Sequence, residues 1–397
     1  MSSTQGWLTP GVAGIGAASF LADAGHEIPT ALLPDLLRGL GASASMLGVI
    51  EGVADGLAGT ARLIGGALAD DPGRRQRVAV GGYASTAALA AATGAATGVW
   101  QVGALRAGAW GARGLRVPAR NALLADIVPP EVYGRAYGFE RAMDNLGAIA
   151  GPLLALGLVS AFGTRTAIGL SVIPGLLAAV AIVYAIRHTP RPEPREARPI
   201  RIKVRPVLQA GLGRLFAGVA AFEIANVSTT LLILRATEML QPGRSHQRAT
   251  QLAIGCYVAY NLAAAVISVP AGRLGDRRSP RLILIAGVLL FALAYLGFAS
   301  HGGGLPLVAA AFVAGGLAIG CVETAQHAAV ATAAPAEIRG SAFGLLAGIQ
   351  AGGNLLASAM AGALWTGVSP TAAFGYLTIC SVAAAALLAG GDRRSTR

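Results

Sequence analysis

The chain has 397 residues, 54% hydrophobic and only 13% charged, whereas a soluble globular domain carries about 25% charged residues. This composition excludes an ordinary water-soluble fold. The formal net charge of +12 is spread over short loops rather than gathered on one folded face, which argues against a nucleic-acid-binding protein.

A membrane-spanning helix needs roughly 20 apolar residues, and segments of that kind recur from end to end. In the first half they are expected at 10–37, 45–69, 78–99, 101–125, 135–162 and 167–184. The first carries Asp23, His26 and Glu27, and the second Glu51, Asp55 and Arg62. The third and sixth are almost free of polar groups. The fourth carries Arg106, Arg113, Arg116 and Arg120, and the fifth Glu140, Arg141, Asp144 and Asn145. A run rich in proline and basic residues then breaks the apolar pattern and reads as an extended linker. Six more spans follow near 209–237, 249–271, 281–300, 305–332, 342–366 and 370–390. The expected organisation is an all-α membrane protein of 12 transmembrane helices in two six-helix halves, 1–187 and 208–397, joined by a linker at 188–207.

Loop charge sets the expected orientation. Arg74, Arg75, Arg77, Arg135, the linker cluster, Arg273, Arg277, Arg278, Arg281 and Arg339 all follow even-numbered spans, and Arg393, Arg394 and Arg397 lie in the tail. The other side holds Arg38, Arg165, Arg244 and Arg248. Both termini and the linker are therefore expected in the cytoplasm. Cys256, Cys321 and Cys380 fall in apolar runs with no close partner and read as packing residues.

Ionisable groups inside a span are costly and normally face a cavity or a partner. Asp23 and Glu27 stand one turn apart on one helix face, with His26 beside them; Glu51 and Asp55 repeat that spacing. Arg113, Arg116 and Arg120 form a basic stripe on the fourth span, and Glu140 and Asp144 an acidic stripe on the fifth. The two stripes lie at comparable depth, so mutual neutralisation is one reading of them. Span one has no basic residue at its centre, so Asp23 or Glu27 is the expected proton carrier, the rival being an ion pair with the arginine stripe. His26 reads either as a packed polar residue or as a group sharing Asp23's proton. Glu223 with Asn226, and Glu323 with His327, give the second half a smaller polar patch, read equally as helix-to-helix hydrogen bonding.

Two loops occur twice. Gly66-Ala-Leu-Ala-Asp70-Asp71-Pro72-Gly73-Arg74-Arg75 returns as Gly272-Arg-Leu-Gly-Asp276-Arg277-Arg278-Ser-Pro-Arg281. The 129–138 loop returns at 335–344 with the same ungapped shift. The first loop resembles the signature of the major facilitator superfamily, between its second and third helices, and its echo between helices eight and nine fits that family's two-fold repeat. Asp71 departs from the pattern by standing where a basic residue is usual, which implies a weaker gate. Gly147, Gly151, Pro152 and Gly157 on span five resemble the Gly-Pro motif of the superfamily's antiporters, without its final double glycine. Within the superfamily the chain resembles a prokaryotic sub-group of predicted permeases.

The resemblance implies a secondary transporter working by alternating access, with gating loops at Gly66, Asp70, Arg74, Arg75, Gly272, Asp276, Arg277 and Arg281. With the buried carboxylates, it points to proton-coupled export of a small organic molecule. A carrier of a small anionic metabolite and a divalent metal-ion transporter are the alternatives. No nucleophile–base pair or phosphate loop suggests an enzyme, and no cofactor or resident metal is expected. The expected setting is the plasma membrane of a prokaryote, as a monomer.

Overall fold

The computed structural model describes residues 6–189, 200–302 and 304–390. Most of the expected linker and the tail arginines Arg393, Arg394 and Arg397 lie outside the described residues. The first half holds α1 (Pro10–Gly39), α2 (Ala44–Ala69), α3 (Pro72–Ala92), α4 (Val99–Ile127), α5 (Tyr133–Leu170) and α6 (Val172–Arg187). The second holds α7 (Val204–Val207), α8 (Gly213–Glu223), α9 (Thr229–Leu240), α10 (His246–Arg277), α11 (Pro280–Ala299), α12 (Gly304–Ala333), α13 (Arg339–Gly367) and α14 (Pro370–Ala389). A π turn at Leu208–Leu212 joins α7 to α8. The twelve-span, two-half architecture is the one expected.

Local chemistry starts several helices. Thr9, Asp71, Ser279 and Ser369 each accept a backbone N–H as N-cap, and each precedes a proline at the first helical position, where a missing N–H costs nothing. This moves α3 six residues earlier than expected, to Pro72 rather than residue 78. Arg74, Arg75 and Arg77 thus lie on its first turns, and Asp71 serves the cap through Gly73 N and Arg74 N. At the other end of the half, helical structure continues to Leu170, but as two helices meeting at a kink just after the expected end of span five at 162. Gly163, at φ 76°, breaks it there, and the sixth span begins directly beyond.

Span seven departs further. Instead of one helix over 209–237 there are two, because 224–228 are not helical. The polar groups freed by the break find side-chain partners, as a low-dielectric setting requires. Tyr295 Oη donates to Ala225 O at 2.8 Å and accepts Val227 N; Ser358 Oγ accepts Ser228 N at 3.0 Å; Asn354 Nδ2 donates to Asn226 O at 2.8 Å.

Seven described helical stretches are long and apolar enough to cross a membrane by composition alone. α1, α2 and α4 are not among them, because they carry the charges met below. On α11, Leu282, Leu289, Leu293 and Leu296 are exposed while Leu284, Phe291, Tyr295 and Phe298 are buried, giving one face for lipid and one for the bundle.

Candidate functional site

Between the halves lies a cavity of about 960 Å³. It reaches from Leu63 and Leu345, beside the repeated loops, to Gly52 on α2 and Ser358 on α13, nearer the opposite face. The first half contributes Asp23, Asp55, Arg62, Arg113, Arg116, Arg120, Arg141 and Asp144; the second contributes Glu223, Asn226, Glu323, His327, Gln350 and Asn354.

The basic and acidic stripes of α4 and α5 meet as their spacing suggested. Glu140 is 1% exposed and accepts from Arg120 at 2.8 Å, Arg141 at 2.6 Å and Ser19 at 2.6 Å. Asp144 lies 3.6 Å from Arg120 and 3.2 Å from Arg141. Arg141 also reaches Glu323 on α12 at 3.8 Å, and that contact joins the two halves.

Asp23 has a partner after all, Arg113 at 3.0 Å. Both belong to the first half. Glu27, half-buried, makes no ion pair within 4.0 Å among the described residues and is not among the groups lining the cavity. His26 does not meet Asp23 in a hydrogen bond: its ring lies 4.0 Å from that of Trp110. Trp110 in turn donates to Asp55 at 2.7 Å and stacks under Arg106 at 3.5 Å, whose guanidinium pairs with Glu51 at 3.0 Å. Glu51 and Asp55, expected together, thus serve different partners. Of the Gly-Pro motif, Gly147 faces the Phe20 carbonyl and Asp23, and Gly151 faces Ala24 and Glu27. A side chain at either would force α5 off α1. Gly157 has nothing within 4 Å, and Pro152 removes one helical hydrogen bond beside this crossing.

In the second half, Glu223 accepts Asn226 Nδ2 at 2.8 Å and Gln326 Nε2 at 3.0 Å, and Gln350 Nε2 donates to Gln326 at 2.7 Å. His327 and Glu323 are not paired through their side chains, since His327 Nδ1 lies 2.7 Å from the Glu323 carbonyl.

The repeated loops close the cavity's floor by a reciprocal bond. Asp70, ending α2, accepts Ser341 N at 2.8 Å and Ser341 Oγ at 2.7 Å at the start of α13. Asp276, in the last turn of α10, accepts Gly134 N at 2.6 Å and Arg135 N at 3.1 Å at the start of α5. Each carboxylate meets the positive end of a helix in the other half. Gly66 and Gly272 let those helices cross backbone to backbone, against Gly340 and Gly134. Arg75, 2% exposed, bonds Ala69 O and Asp126, and Arg339 reaches Asp126 at 3.3 Å. Arg74 lies 3.9 Å from Asp71. Arg281 holds the end of α14 through Leu388 O, and Arg277 lies in the last turn of α10. Lys203, in the described end of the linker, pairs with Asp70 at 2.9 Å.

Sequence reasoning did not single out Gln350, Asn354, Trp110, Asp126 or Lys203. Gln350 and Asn354 had a legible signal, two amides one turn apart in an apolar run; Lys203 and Asp126 had none, since only packing brings them to the repeated loops.

The Major Facilitator Superfamily profile matches residues 15–242 and again 219–397. The chain is 26% identical over 383 residues to an uncharacterized MFS-type transporter of Methanocaldococcus jannaschii, covering 94% of this chain and 93% of that one. It is 27% identical over 338 residues to an uncharacterized protein of Mycobacterium tuberculosis, covering 84% and 81%. Among solved structures it resembles the human organic anion transporter MFSD10 (TETRAN), with a TM-score of 0.79 at 17% identity over 96% of this chain and 99% of that one. The proton:xylose symporter XylE shares the fold with a TM-score of 0.70 at 14% identity, over 96% and 95%.

Proposed function

The chain belongs to the Major Facilitator Superfamily of membrane transporters, and from that premise we propose that it couples proton movement to the export of a small organic molecule. One observation carries the coupling: Arg141 and Glu323 form an ion pair across the two halves at 3.8 Å, at the cavity. Alternating access separates the halves on the side where Asp70 and Asp276 now hold them together. A carboxylate whose counter-cation departs exchanges that cation for a proton, so the pair links the rocking motion to protonation. Asp23 is a weaker carrier on this reasoning, because Arg113 travels with it. Five arginines and five carboxylates line the cavity, and Asp23, Asp144 and Glu323 are engaged by arginine; carboxylates so occupied are poor ligands for a divalent cation, which favours an organic cargo over a metal ion.

The test is reconstituted vesicles with and without an imposed pH gradient. Glu323→Gln is expected to lose pH-driven accumulation while still exchanging substrate down its own gradient; Asp23→Asn is expected to keep part of its coupling. Full pH-driven accumulation by the Glu323 variant would move the coupling site elsewhere, and loss confined to Asp23→Asn would return it to span one.

We place both termini in the cytoplasm of a prokaryotic cell, from the arginine asymmetry of the loops. A cysteine at Ser245 should react with an impermeant maleimide from outside intact cells, in a background lacking the native cysteines, and one at Thr189 should not. The reverse pattern overturns the orientation.

A further inference from the structure

The cavity's charges do not all cancel locally. Asp23 is taken by Arg113, Asp144 by Arg120 and Arg141, and Glu323 by Arg141. Asp55 accepts from Trp110, and Glu223 accepts two side-chain amides. Two arginines remain. Arg62 and Arg116 have no carboxylate within 4.0 Å among the described residues, and the Nε of each is buried without a hydrogen-bond partner. Arg62 makes only a long bond, 3.4 Å, to the Ala347 carbonyl, and Arg116 lies 3.9 Å over the ring of Tyr83. Arg116 is 3% exposed. A buried guanidinium without a counter-charge is costly unless something anionic meets it.

The opposite wall has the complementary character. Asn226, Gln350 and Asn354 each donate one N–H inward, to Glu223, Gln326 and the Asn226 backbone carbonyl. Because those partners are acceptors, the amide orientation is fixed, and the three side-chain oxygens, which accept no hydrogen bond among the described residues, are left for a ligand together with the second N–H of each amide. Among the described residues no Phe, Tyr or Trp lines the cavity, and the one ring there, that of His327, already packs against Tyr137 and Phe343, so the cavity offers little to stack a flat ring. We propose that the cargo is a small aliphatic organic acid bearing hydroxyl or amino groups. Its carboxylate binds Arg62 and Arg116, where charge-assisted bonds are strongest, and its donors face the oxygens of Asn226, Gln350 and Asn354. This names the substrate class of the transporter proposed above and rests on that reading.

The experiment compares probes of matched size on the purified full chain, by thermal stabilisation, since a ligand that binds only the folded state raises stability. D-gluconate and L-glutamate carry both features, hexanoate and glutarate only the carboxylates, sorbitol only the donors, and putrescine the opposite charge. At least one of the first two should stabilise most. Arg62→Gln and Arg116→Gln should each weaken that probe at least tenfold, and Gln350→Leu should narrow its advantage over glutarate or hexanoate. Each variant's melting temperature without probe checks that it folds, and Arg62→Lys and Arg116→Lys should recover part of the binding. Stabilisation by sorbitol or putrescine above either acid overturns the inference, as does stabilisation by no acid. Sorbitol or putrescine accumulated under a pH gradient would overturn the substrate class and leave the transporter reading intact. Specific acid binding without any transport would do the reverse.

Discussion

Replacing Gly272 by leucine is expected to abolish transport, and to leave the protein unable to close on the side of its repeated loops. In the closed arrangement a Cβ at position 272 would fall inside van der Waals contact with the Gly134 carbonyl. That neighbour is backbone, held by the bonds from Gly134 N and Arg135 N to Asp276, and cannot step aside as a flexible side chain would. The crossing of α5 and α10 must therefore open, and the state described here becomes inaccessible. Spin labels or cysteine pairs across the 134 and 272 positions should report a wider gap than in the parent protein. Gly157→Leu is the control: nothing lies within 4 Å of Gly157, and transport should persist. Milder forms of the same change are Asp70→Asn and Asp276→Asn, which keep an acceptor oxygen but lose charge. Each should weaken closure by about 1–2 kcal/mol, slowing transport while leaving binding largely intact. An unchanged gap and rate in Gly272→Leu would show that the gate does not close by this crossing.

Glu140→Ala should be the most destabilising single change at the site. Glu140 is 1% exposed and neutralises two arginines while accepting from Ser19. Without it, Arg120 and Arg141 share Asp144 alone in the first half. Removing one partner from a buried ionic network costs about 3–5 kcal/mol, whereas replacing the charges together by apolar groups is often near neutral. Glu140→Met combined with Arg120→Met should therefore cost less than the sum of the two single changes. Thermal unfolding in one detergent and lipid mixture measures all of these. Strict additivity would mean that the residues act independently, and that the network is not a unit.

Composition alone set the solvent of this protein, and the period of its apolar runs set the number of spans. The ungapped repeat located both loops, and the structure adds what a repeat makes inevitable: equivalent carboxylates, Asp70 and Asp276, bond equivalent positions, Ser341 and Arg135, each in the other half. The pairing of Arg120 with Glu140 was also legible, because spacing within a helix fixes which residues share a face. Helix rotation and packing decided the rest. Spacing put His26 beside Asp23, but the helix packed opposite gave them different partners, Trp110 for His26 and Arg113 for Asp23. The break at 224–228 had no sequence marker, because Tyr295, Asn354 and Ser358, distant in the chain, make it tolerable. The partner of a buried charge depends on which helix lies opposite. Only the assembled bundle could therefore give Asp23 an arginine from its own half, give Glu323 one from the other, and leave Arg62 and Arg116 facing the cavity without a counter-charge.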